Sequence, residues 1–191
     1  MVDDEWFYRN DTGNPIVVRD RAAYKDALFS SKSSEYETPQ WLFSKLDYFY
    51  HFTLDAAATA ENTKCLRFIT KAENSLVQTW YNERVWLNPP YGRGVGKWLD
   101  KAVHETKGGC PLVVVLLAAR TDTVWFHKRV LPYAHNILFV RGRLHFDDDP
   151  DPAPFPSIVV IFKKADCSIW ECGPRRPHIG TIDARTGTIR F

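Results

Sequence analysis

Apolar runs and amphipathic stretches alternate along most of the chain. Residues 112–117 are apolar throughout, as parallel strands covered on both faces are. Shorter or mixed runs predict further strands over residues 52–55, 65–70, 85–87, 137–140 and 157–162. Helical spacing predicts helices over residues 41–49, 97–107 and 124–130. The alternation predicts an α/β fold with a mostly parallel, doubly wound sheet, in which ligands bind at the carboxyl ends of the strands.

Turn signals and composition divide the chain into three parts. Residues 1–34 are a mixed N-terminal extension with a short predicted helix over residues 22–29 and a serine-rich joint after it. Residues 35–165 form the main domain, whose first helix has Thr38 as its N-cap and Pro39 as its first residue. Residues 166–191 are a C-terminal tail in which Ile and Thr alternate around a glycine, the pattern of a β-hairpin.

The length and composition of the chain limit its class. A chain of 191 residues holds one α/β domain with a full core. Its 25 Lys+Arg stand against 23 Asp+Glu, so basic groups must gather on one face if it binds nucleic acid. No apolar run approaches the roughly 18 residues of a membrane span, and the acidic N-terminus lacks a signal-peptide pattern. Cys65, Cys110, Cys167 and Cys172 match neither a disulfide framework nor a zinc signature, which predicts free thiols and no metal site in an intracellular protein.

The main candidate site is the turn Asn88-Pro89-Pro90-Tyr91, which follows the strand over residues 85–87. An aromatic amine is a poor nucleophile because its lone pair is delocalised into the ring. A catalyst that accepts hydrogen bonds from both N–H groups draws that pair out of conjugation. The Asn88 side chain and the Pro89 backbone each offer a carbonyl, and the Tyr91 ring offers a stacking surface. The competing interpretation is a plain strand exit, since Asn, Pro and Gly all favour turns.

A second candidate site follows the first strand of the main domain, where Asp55 precedes Ala56 and Ala57. Small side chains let a ligand approach the backbone closely, and a carboxylate can engage an ammonium or hydroxyl group. The alternative is that the alanines simply favour a helix. Asp55, Asn88 and Arg120 all stand at the carboxyl ends of predicted strands, which indicates one shared site.

Several segments, in this order, resemble the phage-type, Dam-like DNA adenine (N-6) methyltransferases over residues 36–162. They are Glu37-Thr38-Pro39, Thr53-Leu54-Asp55-Ala56-Ala57, Trp86 through Arg93, Leu117 through Trp125, Gly142-Arg143-Leu144-His145-Phe146 and Pro154-Phe155-Pro156-Ser157. The resemblance implies a Rossmann-like methyltransferase domain over residues 35–165, with an antiparallel last strand. It implies S-adenosylmethionine as the donor, a flipped adenine of double-stranded DNA as the acceptor, and action in the cytoplasm of a bacterial host cell.

The resemblance also implies a role for each matching residue. The catalytic residues are Asn88, Pro89, Pro90 and Tyr91. The donor-binding residues are Thr38, Pro39, Asp55, Ala56, Ala57, Glu73, Asn74 and Leu76, with Ser75 as an alternative to Asn74. The chain departs from the glycine-rich first turn of many methyltransferases, and Glu73 is assigned to the donor's ribose without a unique acidic match.

Basic residues on loops beside the candidate site predict a DNA-binding rim. Its members are Arg93, Lys97, Arg120, Arg141 and Arg143, joined by Lys163, Lys164, Arg175 and Arg176 of the tail. For any one of them, a solvated surface cation is the competing interpretation. We expect a short target sequence and a monomer or weak dimer. Two alternatives remain open: a methyltransferase of the same motif that acts on RNA or protein glutamine, and a catalytically silent Rossmann-like module that binds DNA.

Overall fold

The chain forms two compact units, Met1–Ser33 and Ser34–Phe191. A computed structural model describes residues 7–9, 15–17, 36–146, 151–164 and 176–191. In the first unit, strands β1 (Phe7–Arg9) and β2 (Pro15–Val17) pair antiparallel. The helix predicted over residues 22–29, the serine-rich joint and the thiols of Cys167 and Cys172 lie outside the described residues.

An eight-stranded sheet organises the second unit. In chain order its strands are β3 (Leu54–Asp55), β4 (Arg67–Phe68), β5 (Arg84–Leu87), β6 (Leu112–Ala118), β7 (Asn136–Arg141), β8 (Ser157–Lys163), β9 (His178–Asp183) and β10 (Ile189–Arg190). They lie side by side in the order β10-β9-β7-β8-β6-β5-β3-β4. Strand β8 runs antiparallel to both β6 and β7, and β10 runs antiparallel to β9, while the other neighbours are parallel. The predicted mostly parallel sheet with an antiparallel last core strand is confirmed.

Helical segments cover both faces of this sheet. Helix α1 (Gln40–Tyr50) packs on one face, which we call the α1 face. Helix α2 (Val95–Gly108) and the π-helical segment Phe126–Val130 pack on the other, the α2 face. The sheet is therefore doubly wound, as predicted. Across the residues described, no helix is long and apolar enough to cross a membrane.

The side chains of the central strands alternate between the two faces. In β5, Val85 and Leu87 belong to the α2-face core, and Trp86 belongs to the α1-face core. Strand β6 is buried along its whole length, because both of its faces are covered. The period of two residues places Asn88, which directly follows β5, on the same face as Trp86.

The first helix differs from the prediction at its start, and not all of its apolar residues are buried. Pro39, with ψ at 129°, is its N-cap, and the Pro39 carbonyl accepts the first backbone hydrogen bonds. Thr38 is therefore not the cap and Pro39 is not the first helical residue, because that ψ is extended. The buried stripe includes Phe43, whereas Trp41 and Phe49 are exposed.

Strands β9 and β10 form an antiparallel hairpin, and β9 also pairs with β7. The hairpin thus extends the main sheet and does not stand apart from it. Gly180 is buried where the hairpin meets β7. A Cβ built on Gly180 would lie 2.6 Å from the carbonyl oxygen of Arg190 and 2.7 Å from Leu138 Cδ2. The absence of a side chain is required there by packing.

Replacing Gly180 with alanine should lower the free energy of unfolding by about 1–3 kcal/mol, because neighbouring backbone must move to admit a methyl group. The matched control is Gly108→Ala at the end of α2, where an added Cβ meets nothing within 4 Å. That change should be neutral or stabilising by up to about 1 kcal/mol. Urea denaturation of both variants measures the difference. Equal stability of the two would contradict the packing argument.

Candidate active site

The side chain of Asn88 is held in one orientation at the end of β5. Its Nδ2 donates a hydrogen bond to the backbone oxygen of Tyr36 at 2.6 Å. Because only the amide nitrogen can donate, this bond decides which way the amide points. The other atom of the amide, Oδ1, is buried and has no hydrogen-bond partner among the described residues. Asn88 therefore holds an oriented carbonyl oxygen that no described group satisfies.

The two prolines carry the chain out of the sheet. Pro89 is buried and Pro90 is exposed. Neither has a backbone N–H, so neither can continue the ladder of hydrogen bonds, and each restricts the residue before it to extended conformations. Gly92 follows with φ at 138°, a value that other residues rarely adopt. The backbone of the turn is thus restricted at Asn88 and Pro89, and it gains conformational freedom only at Gly92, beyond Tyr91.

Four aromatic rings form a cluster on the α1 face, which we call the aromatic cluster: Tyr36, Tyr91, Phe146 and Phe155. The ring centroids of Tyr36 and Phe146 lie 4.8 Å apart, and those of Tyr91 and Phe155 lie 5.3 Å apart. The Tyr91 hydroxyl is buried and lacks a partner among the described residues. Burial raises the pKa of this phenol above its ordinary value. The hydroxyl therefore stays protonated and can donate a hydrogen bond.

The turn after β3 is held by the carboxylate of Asp55. Its Oδ2 accepts a hydrogen bond from the Lys64 backbone at 3.0 Å, and its Oδ1 accepts one from the Ala57 backbone at 3.4 Å. Burial raises the pKa of Asp55, and these two bonds oppose the shift. The Ala56 N–H donates to the Trp86 carbonyl at 3.0 Å. The structure thus brings the turn with Asp55, Ala56 and Ala57 beside the end of β5.

The segment after β4 carries the remaining predicted donor residues. Glu73 is exposed, and its Oε2 accepts hydrogen bonds from the backbone N–H and the hydroxyl of Thr70, each at 2.8 Å. The Ser75 hydroxyl is buried and accepts a bond from Trp80 Nε1 at 3.1 Å. Asn74 is exposed, and Leu76 is half-buried. Of the two residues left open by the sequence, Asn74 is the one whose side chain faces solvent.

The segment that leads into α1 crosses the end of β5. The Tyr36 carbonyl binds Asn88, and Thr38 and Pro39 follow within three residues, both buried. These two predicted donor residues therefore lie on the segment that orients Asn88.

The five cations predicted as the rim follow strands that end at one edge of the sheet. Arg93 and Lys97 follow β5, Arg120 follows β6, and Arg141 and Arg143 lie at and beyond the end of β7. All five are exposed. Arg141 Nη1 lies 3.7 Å from Asp183 Oδ2. Arg143 Nη1 donates to the Ala153 carbonyl at 3.5 Å.

The basic tail does not join this rim. Lys163 ends β8, which runs antiparallel to β6, so it pairs with Leu112 at the start of β6. Lys164 follows it, and Arg176 precedes β9, whose start lies at the same opposite edge. The prediction that these three cations share the rim is therefore wrong. Arg175 lies outside the described residues.

Four residues on the same face as Asn88 were given no role by sequence reasoning: Tyr36, Phe146, Phe155 and Ser157. Tyr36 acts through its backbone carbonyl, for which a sequence has no signal. Ser157 did have a signal in the sequence, since it is a polar residue at the start of a strand that is otherwise apolar up to Lys163. Its hydroxyl oxygen is buried and, with Asn88 Oδ1 and the Tyr91 hydroxyl, lacks a partner among the described residues.

Two sequence comparisons bear on this arrangement. The profile of a family described as DNA N-6-adenine-methyltransferase (Dam) matches residues 26–169. A DNA N-6-adenine-methyltransferase of Escherichia phage T1 is 35% identical over 119 residues, which are 60% of this chain and 48% of that protein. The chain thus spans about half the length of this curated relative.

Solved structures with a similar fold include a modification subunit of a putative type I restriction enzyme from Vibrio vulnificus YJ016. Its TM-score is 0.47 at 12% identity, over 83% of this chain and 48% of that chain. A chain of another type I R-M system has a TM-score of 0.45 at 12% identity, over 83% of this chain and 47% of that chain.

The raised pKa of Asp55 predicts how stability depends on pH. A carboxyl whose folded pKa is raised contributes most to stability while protonated, below its unfolded pKa near 4, and loses that contribution as pH rises through the folded pKa. Asp55→Asn removes this titration and keeps one acceptor oxygen. The unfolding free energy of wild type minus that of the variant should therefore fall from about pH 4 upward and then level off. Urea denaturation across this range checks the sign, and a difference that grows with pH would contradict it.

Proposed function

Because the chain belongs to the DNA N-6-adenine-methyltransferase (Dam) family, we propose that it transfers a methyl group from S-adenosylmethionine to the exocyclic amine of adenine in double-stranded DNA. The observation that carries this proposal is the state of Asn88. Its amide nitrogen is engaged by Tyr36, and its amide oxygen is buried and without a partner among the described residues. A buried acceptor in that state is suited to a ligand that brings an N–H group.

An amine bound at this turn gains nucleophilicity from two acceptors. Asn88 Oδ1 accepts one of its N–H groups, and the Pro89 carbonyl accepts the other. Both bonds draw the lone pair away from the ring and toward the methyl donor. Since the Tyr36 bond and the two prolines already hold these acceptors, little reorganisation is needed when the base arrives.

The aromatic cluster receives the ring of the base. A base in a duplex cannot reach a buried turn, so it must be extruded at a cost of a few kcal/mol. Tyr91 already packs against Tyr36 at 5.4 Å and against Phe155 at 5.3 Å between ring centroids. A base that stacks on Tyr91 therefore competes with these rings for contact with it. The stiff turn keeps Tyr91 close to Asn88 while its neighbours move.

The buried carboxylate of Asp55 fits the proposed methyl donor. S-Adenosylmethionine supplies a methyl group on a positively charged sulfonium and also carries an ammonium group. Burial disfavours the charged form of Asp55, and a cation nearby offsets that effect. Ala56 is fully buried and Ala57 is half-buried, and their small side chains add little bulk to the turn. The other proposed donor residues are Thr38, Pro39, Glu73, Asn74 and Leu76.

The rim cations form the surface that binds the DNA. Exposed arginines and lysines at the carboxyl edge bind phosphates, which position the duplex so that one base reaches the turn. We propose that the protein acts in the cytoplasm of a bacterial host, because its curated relative comes from Escherichia phage T1.

A transfer assay tests the proposal as a whole. The full chain is incubated with labelled S-adenosylmethionine and, in parallel, unmethylated duplex DNA, RNA and protein. Nucleosides are then separated to identify the modified base. We expect N6-methyladenine from DNA alone. Label in RNA or protein glutamine would replace the proposal with the same chemistry on another acceptor, and failure to bind the donor by calorimetry would indicate a silent binding module.

Asn88→Ala should lower the methylation rate by at least about a hundredfold, because the amine loses one of its two acceptors. Binding of the donor should change little, since Asn88 is assigned to the acceptor base. The matched control is Gln40→Ala, which removes an exposed amide on α1. Single-turnover methylation and calorimetry measure the two effects separately. A variant with a near-normal rate would remove Asn88 from catalysis.

Arg93→Ala and Arg120→Ala should each weaken DNA binding by about fivefold at roughly 0.15 M salt and reduce the salt slope by about one. Lys163→Ala and Lys164→Ala remove the same charge from the opposite edge and serve as controls. Fluorescence anisotropy with a labelled duplex over a range of salt gives both quantities. Equal losses of DNA affinity in the variants at both edges would show that the DNA does not bind at the rim.

A further inference from the structure

Three side-chain oxygens are buried without a hydrogen-bond partner among the residues that the structure describes: Asn88 Oδ1, Tyr91 Oη and Ser157 Oγ. The first two belong to the proposed catalytic turn. Ser157 belongs to β8, nearly seventy positions along the chain and in a different element. A buried hydroxyl without a partner destabilises a fold. Its presence in an otherwise apolar strand therefore indicates a ligand that pairs with it.

Strand pairing places Ser157 at the same edge of the sheet as Asn88. Ser157 pairs with Ala118, the last residue of β6, while Leu87, just before Asn88, pairs with Val115 on the other side of β6. The two positions are therefore offset by about 7 Å along the strands and about 10 Å across them. Two side chains with one base between them can span such a gap.

Ser157 also lies on the same face as the catalytic turn. Val159 and Ile161, two and four residues further along β8, belong to the α1-face core, so Ser157 points to that face as well. The aromatic cluster packs against this core, and its member Phe155 is two residues before Ser157. The three unpartnered oxygens thus belong to residues on the face that carries the aromatic cluster.

Six of the eight proposed donor residues, all except Thr38 and Pro39, lie on the other side of β5. Strands β3 and β4, which carry or precede these six, are separated from β8 by β5 and β6. Ser157 is therefore on the acceptor side of the site, where the base binds.

We propose that the Ser157 hydroxyl donates a hydrogen bond to a ring nitrogen of the target adenine, N1 or N7, and so helps to select and orient that base. This inference rests on the proposed function. The two amine hydrogens are taken by Asn88 Oδ1 and the Pro89 carbonyl, which leaves N1 and N7, the two acceptors that flank the amine, to be matched. The Ser157 hydroxyl can donate to one of them. A base that shows a C–H in place of that acceptor would leave the hydroxyl unpaired and be rejected.

Ser157→Ala tests the inference, since it removes the hydroxyl and leaves the packing nearly unchanged. We expect a thermal midpoint equal to or above that of wild type, with methylation of duplex DNA slowed about ten- to hundredfold. The control Ser44→Ala removes an exposed hydroxyl on α1 and should leave the rate unchanged. A lower midpoint together with a slower rate would indicate a structural role and would overturn the assignment.

Base analogues separate substrate contact from other effects. Once the target site is mapped, duplexes with 7-deazaadenine or 1-deazaadenine at the target position are compared. With the wild-type protein, one of the two analogues should be methylated more slowly than adenine. The factor should equal the loss of rate that Ser157→Ala causes on adenine. The variant should methylate that analogue as fast as it methylates adenine. The inference would be overturned if the loss of rate from Ser157→Ala multiplied with the loss from each of the two analogues. It would also be overturned if the variant methylated adenine as fast as wild type. If wild type methylates no DNA at all, the proposed function itself fails.

Discussion

The hydrogen bond from Asn88 Nδ2 to the Tyr36 carbonyl decides what the carboxyl edge of the sheet offers a ligand. Without it, the amide of Asn88 could rotate and present a donor where an amine needs an acceptor. The bond joins residues 52 positions apart, the segment before α1 and the end of β5. The catalytic geometry proposed here therefore depends on the docking of α1 as much as on the turn itself.

The alternation of side chains along the central strands adds the second constraint. Because a strand turns every other residue to the same face, Asn88, Ser157 and the aromatic cluster all meet on the α1 face. The α2 face is filled by apolar residues of α2 and the π-helical segment. Both faces of the sheet carry a buried apolar core, and the α1 face also carries the polar atoms that a base can satisfy.

The sequence predicted most of the fold because buried parallel strands and amphipathic helices leave strong periodic patterns, as at residues 112–117 and 97–107. It predicted Asn88 because the chemistry of that residue is local to its turn. It gave no role to Tyr36 or Ser157, whose positions relative to Asn88 depend on contacts between distant segments. The prediction of the rim was wrong at Lys163 for a related reason. Charge was read from the sequence, while the edge on which a charge lies depends on the direction of β8.

The packing of the aromatic cluster limits what stacking can contribute to base extrusion. Its rings already touch one another, and each such contact contributes about 0.5–1.5 kcal/mol. A base that displaces a ring exchanges one aromatic contact for another, so the net gain is smaller than the roughly 1–3 kcal/mol of stacking on an open surface. The unpartnered oxygens act differently. Each costs about 1–3 kcal/mol while it stays unpaired, and a base that satisfies Asn88 and Ser157 removes that cost for both. In the proposed complex, hydrogen bonds to Asn88 and Ser157 therefore offset more of the cost of extrusion than stacking does, and they favour adenine where stacking would accept any base.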